Sequence, residues 1–177
     1  MTTMDDVRYP IGKYEPQLYS DRLKEARIAD IRFLPTSLEN AVSSFDAVQL
    51  ETPYREGGWT VQQLVHHIAD SHINAYTRFK LGLTEDTPTI KPYEEKAWAE
   101  LADVRLPINL SLTLLHALHA RWVAVLESVT TDQWEHRSVI HPETGKHLTL
   151  WYLLGTYAWH GKHHVSQITA LVHQKGW

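Results

Sequence analysis

Apolar residues recur at helical spacing in four stretches of the chain, and each stretch carries its own boundary signals. The first runs from about Asp21 to Phe45 behind Ser20 as N-cap. Leu23, Ile28, Ile31, Leu34, Leu38, Val42 and Phe45 form an imperfect stripe in it, and a kink is expected at Pro35. The second, about Val61 to Leu83, has Thr60 and Gln63 at capping-box spacing and Trp59 and Leu64 at the positions of a hydrophobic staple. Val61, Leu64, Val65, Ile68, His72, Ala75, Tyr76, Phe79 and Leu83 then follow the helical period. The third, about Leu110 to Ser128, places Leu112, Leu115, His119, Trp122 and Leu126 on one face, and the fourth runs from just after Thr149 to about Lys175. Four amphipathic helices of about 20 residues, each about 30 Å long, predict an all-α fold, a four-helix bundle.

The segments between these helices refine that picture. Residues 84–101 contain Pro88, Pro92 and KPYEEKAW, which reads as a long second-to-third helix connection with one helical turn near Glu94 to Leu101. Such a connection frees the bundle from simple up-down-up-down order and allows one crossover. Val139 to Leu148 predicts a small β-hairpin around Glu143-Thr144-Gly145. No repeat, low-complexity tract or Gly/Ser linker divides the chain, so residues 1–177 read as one domain with an extended N-terminal arm, 1–19.

Composition narrows the chemistry. An apolar content of 43% in 177 residues suffices for a core and excludes a disordered tail. With 17 Lys+Arg against 21 Asp+Glu the net charge is -4, so no positive field draws the chain to nucleic acid or an anionic membrane. The opening MTTMDDVRYP lacks the basic start and apolar run of a secretory signal, and no 18-residue apolar stretch follows, which points to a cytoplasmic protein. Cysteine is absent, removing disulfides, thiolate ligands and Cys nucleophiles, whereas there are 12 His and 7 Trp. Any bound metal must be held by nitrogen and oxygen.

In WHGKHH, His160 and His164 are four residues apart, on one helix face and one turn apart. Gly161 stands where a metalloprotease HExxH motif needs its general-base Glu, so this is not a zincin. Both histidines flank the apolar stripe and face the bundle interior, and His163 lies farther round, toward the surface. On the second helix His67 projects from a similar border, with Ser71, Asn74 and Arg78 continuing its stripe, while His66 falls on the opposite side. Two histidines from one helix and one from another make a three-histidine set with a fourth position open to water or substrate. Imidazole suits Zn²⁺, and Ni²⁺, Co²⁺, Cu²⁺ and Fe²⁺ also accept it. The alternative is a group of hydrogen-bonded core histidines. His119 reads as packed or as supporting another side chain, and Asp70 as either a base or a solvated helix acid.

PYREGGWTVQQLVHHIADSHINAYTRFKLGLTE, IKPYEEKAW, LHARW and YAWHGKHHVSQI together resemble the DinB-like superfamily, most closely its YfiT branch of metal-dependent hydrolases, over nearly the whole chain. The resemblance implies a four-helix bundle with one divalent metal ion per subunit, zinc or nickel, in a soluble protein that often forms a homodimer. It places the metal on His67, His160 and His164, in agreement with the face analysis. Neither the base nor the substrate follows from it.

The expected activity is hydrolysis of a small molecule by metal-activated water. Asp70, Asn74, Arg78, Tyr93 and His119 are the candidates for base, orienting group or anion contact. Relatives in the superfamily include thiol S-transferases, so the competing expectation is activation of a low-molecular-weight thiol such as bacillithiol at the same open position. A third reading is a non-catalytic metal-binding protein whose ion fixes two helices.

Overall fold

The computed structural model describes residues 7–177. Four long helices carry it: α1 (Asp21–Val42), α3 (Val61–Thr84), α5 (Asn109–Ser128) and α7 (Leu150–Lys175). Between them lie short helices α2 (Ala47–Leu50), α4 (Glu95–Trp98) and α6 (Thr131–His136), a 3-10 turn at Ala102–Arg105, and strands β1 (Ser138–Ile140) and β2 (His147–Thr149). The strands form the expected hairpin, antiparallel with Val139 opposite Leu148. Among the described residues, no helix is long and apolar enough to cross a membrane.

Local chemistry sets the boundaries. Ser20 caps α1 by accepting from the Leu23 N–H, and Thr60 and Gln63 close both bonds of a capping box on α3. Thr149 caps α7, which ends at Gly176 in the left-handed conformation, φ 69°, where glycine avoids the Cβ clash. The first helix stops at Val42, short of the expected Phe45, because Asp46 and Gln49 form a competing capping box that starts α2. A similar box at Thr130 and Gln133 starts α6, which the apolar period does not announce. α1 continues unbroken through Pro35.

The topology follows from which residues meet. Leu34 of α1 approaches Gly161 of α7 and Arg27 stacks on Trp151, so residue numbers rise together and the two helices are parallel. His66 meets Ser111 and His72 meets His119, so α3 and α5 are parallel as well. Across the pairs the order reverses: Glu39 and Ile31 of α1 meet His116 and His119 of α5, and His72, Arg78 and Gly82 of α3 meet His160, Tyr157 and Leu150 of α7. The bundle is therefore up-down-down-up, with neighbours in the cyclic order α1, α7, α3, α5. Parallel α3 and α5 require the chain to return along the whole bundle, which accounts for the long connection between them.

Two apolar clusters fill the interior. One gathers Phe79, Trp122, Leu126, Trp134, Leu150 and Leu154, and the other Leu38, Leu64, Val65, Ile68, Leu115 and Ile168. Histidines from α3, α5 and α7 lie between them. The expected N-terminal arm falls partly on residues 1–6, outside the described residues. Residues 12–20 carry no helix or strand, and α7 stitches the arm down through its carbonyls: Trp151 donates to Gln17 O (2.7 Å), Trp159 to Gly12 O (3.1 Å) and Gln167 to Arg8 O (2.8 Å).

At Gly161, α7 packs tightly against Leu34 of α1. A Cβ there would stand 2.5 Å from Leu34 Cδ2 and 3.2 Å from its Cγ, so the position that holds glutamate in HExxH has no room for one. Gly161→Val is expected to destabilise the fold by about 1–3 kcal/mol through overpacking, read as a lowered urea midpoint. An unchanged midpoint would contradict the close approach of the two helices.

Candidate metal centre

His67 comes from α3 and His160 and His164 from adjacent turns of α7, and the antiparallel contact of these helices brings the three rings together. The Nε2 atoms of His67 and His164 each lie 3.2 Å from Nε2 of His160, and one nitrogen from each ring falls within 4.8 Å of the others. Nitrogens held tetrahedrally at about 2.0–2.1 Å from an ion would lie about 3.4 Å apart. The two separations to His160 are already close to that spacing.

Electrostatics favours the same use. Burial pushes His67 down to about 4 and His164 to about 3, and lowers His160 well below the ordinary imidazole value. All three are neutral at pH 7 and keep a lone pair for coordination. For His164 the position of that lone pair can be deduced. Gln167 Nε2 donates to Arg8 O, so its Oε1 is the atom that faces His164 Nδ1 at 2.8 Å and must accept from it. The proton is thus on Nδ1, and Nε2 points into the cluster unprotonated. This donor set fits a divalent ion.

His67 and His164 are buried, whereas His160 also lines a cavity of about 660 Å³. Ser71, Arg78, Tyr93, Glu95 and Tyr157 are among the polar residues of its wall. A larger cavity, about 810 Å³, lies between the arm, α1 and α7, and none of the three histidines reaches it.

Of the side chains expected to take part in chemistry, Arg78 and Tyr93 lie in the wall beside His160. Arg78 Nη1 donates to Tyr157 Oη at 2.6 Å and Nη2 to Lys91 O at 3.2 Å. Asp70 and Asn74 are outside that wall, and the Asn74 amide folds back onto Asp70 O at 2.9 Å. His119 is 1% exposed, its Nδ1 hydrogen-bonded to Ile31 O, and it does not reach the cavity.

His66 is tied to Ser111 and Leu106 O on the α5 side, away from the cluster. His163, expected toward the surface, is buried instead, because Trp159 and Tyr9 of the arm stack on its two sides. Tyr157, three residues before His160, and Glu95 on α4 are wall residues that the helical stripes did not mark as functional. Tyr157 reads as core by period, and Glu95 sits on a connection where no period applies.

Known proteins share this architecture. The DinB superfamily profile matches residues 31–168. A Bacillus cereus protein named "Putative metal-dependent hydrolase" is 48% identical over 175 residues, covering 98% of this chain and 100% of its own. A relative from Bacillus thuringiensis subsp. konkukian, whose name opens with the same words, shows the same identity and coverage. Among solved structures, Bacillus subtilis YfiT, described as "a probable metal-dependent hydrolase with an unusual four-helix bundle topology", superposes with a TM-score of 0.94 at 48% identity. The match covers 97% of this chain and 99% of that one. On profile, identity and fold alike, the chain belongs to the DinB superfamily.

Proposed function

We propose that this protein is a metal-dependent hydrolase that holds one divalent ion on His67, His160 and His164 and acts on a small molecule bound in the cavity beside His160. The convergence of three neutral imidazoles, with the Nε2 atoms of His67 and His164 each 3.2 Å from that of His160 at the edge of a cavity, carries this reading. Bound there, the ion supplies Lewis acidity that brings the pKa of water from 15.7 toward about 7. Zinc is the ion we propose, with nickel next, because both suit an all-imidazole set.

The wall residues take the substrate. Two of Arg78's N–H groups are engaged by Tyr157 Oη and Lys91 O, which fixes the guanidinium plane and leaves its other donors for a carbonyl or anionic group. Tyr157 accepts from Arg78, so its own hydroxyl proton is free to be donated. Burial holds the Tyr93 hydroxyl protonated well above its usual range, which makes it a second donor in the same wall.

Replacing His67, His160 or His164 singly by Ala is expected to remove the ion from freshly purified protein, as read by elemental analysis, and with it activity in an ester and amide screen. Full metal content in all three variants would remove the proposed centre. The screen is run with and without bacillithiol. Turnover that requires the thiol would replace hydrolysis by thiol transfer at this site.

Asp70 lies outside the wall and gives a separate prediction. Burial, reinforced by Asp103, raises its carboxyl to about 6, whereas the unfolded value is about 3.9. The folded chain therefore binds this proton more tightly, a contribution that is complete below about pH 4 and lost as pH rises through about 6. Asp70→Asn should raise the urea midpoint relative to the parent at pH 8 and leave it nearly unchanged at pH 4. An equal effect at both pH values would contradict the raised carboxyl.

A further inference from the structure

We infer that His119 and His72 are positioning residues that fix the proton of His160 on Nδ1 and so leave its Nε2 free to bind the metal ion. The relay begins at a proline. In an α-helix the N–H of residue i donates to the carbonyl of residue i−4, and Pro35 has no N–H, so Ile31 O is left without that bond. His119 of α5 supplies the missing donor: its Nδ1 lies 2.5 Å from Ile31 O.

That contact sets a direction. A carbonyl only accepts, so the His119 proton is on Nδ1 and its Nε2 carries a lone pair. His72 Nδ1 stands 3.0 Å from this Nε2 and must donate to it, which leaves the lone pair of His72 on Nε2. His160 Nδ1 stands 3.4 Å from His72 Nε2 and donates in turn. The last lone pair is then on His160 Nε2, the atom 3.2 Å from both other ligand nitrogens. The chain visits each of the four long helices once, from α1 through α5 and α3 to α7.

Surroundings enforce the order. His72 is 0% and His119 1% exposed, with Trp122 edge-on to both rings and Tyr157 edge-on to His72. Water cannot repair a mismatched junction there. If His119 or His72 carried the other tautomer, two N–H groups or two lone pairs would face each other inside the relay and leave buried groups unsatisfied, whereas the lone pairs that meet at His160 and His164 Nε2 are the ones that would face the ion. The hydrogen-bond partners of these rings are imidazoles and one carbonyl, with no carboxylate among them.

The inference rests on His160 being a ligand, so its test includes a readout that needs no metal. In metal-free protein, ¹⁵N NMR of the imidazoles should show His119, His72 and His160 all protonated on Nδ1 and bare on Nε2. A proton on Nε2 of any of the three would overturn the relay whether or not the protein binds metal. In the second measurement, His119→Leu and His72→Leu should weaken metal binding by about 10- to 100-fold in a chelator competition with Zn²⁺. His119→Gln keeps one donor and one acceptor and should stay closer to the parent than His119→Leu. Parent-like affinity in a folded His119→Leu variant would overturn the inference and leave the three-histidine centre standing. Loss of Zn²⁺ binding by the parent itself would instead remove that centre. Should the leucine variants not fold, the NMR of the unmodified chain decides.

Discussion

Pro35 withdraws one N–H on the buried face of α1, and the centre of the molecule is arranged around the carbonyl that this leaves behind. A buried acceptor without a partner is costly, and a proline ring presses the same carbonyl out of the helix line. His119 of the neighbouring helix meets it. Once one imidazole is fixed in this way, the next two inherit its direction, and the result is a polar layer that separates two apolar clusters. Cores with polar layers are demanding because each member must be satisfied, and they specify one arrangement for the same reason.

The up-down-down-up order makes that layer possible. Parallel α3 and α5 bring His72 level with His119, and antiparallel α3 and α7 bring His67 and His72 against His160 and His164. The return path between α3 and α5 also reaches the cavity. Its residues Tyr93 and Glu95 close the cavity beside His160, and Gln63 of α3 holds it in place through Ala99 O at 3.0 Å. The arm contributes from the other side, where the Arg8 carbonyl fixes Gln167 and Gln167 fixes His164. Both histidines that α7 gives to the cluster are thus linked by hydrogen bonds to backbone carbonyls elsewhere in the fold.

The long helices and the hairpin were legible in the sequence because their apolar period and caps are local properties. Helices α2 and α6 were not, since four and six residues are too few to show a period and only their capping boxes mark them. The grouping of His67, His160 and His164 could be read from helix faces, because ligands four apart on one helix and one on a neighbour leave a directional trace. His163 was misplaced because Tyr9 of the arm covers it, a contact that no helix wheel contains. Pro35 could be read as a local disturbance of α1, but its partner lies 88 residues from Ile31, and the pairing exists only once the helices are packed. The wall residue Glu95 had no period to betray it.

The proposed centre is one metal ion held by three imidazoles with one position left to a non-protein ligand. X-ray absorption at the metal edge of protein purified without added metal reads that shell directly. Three imidazole nitrogens at about 2.0–2.1 Å and one further oxygen from water or buffer are expected. A shell with fewer than three imidazoles, or one closed by a fourth protein ligand, would contradict that centre.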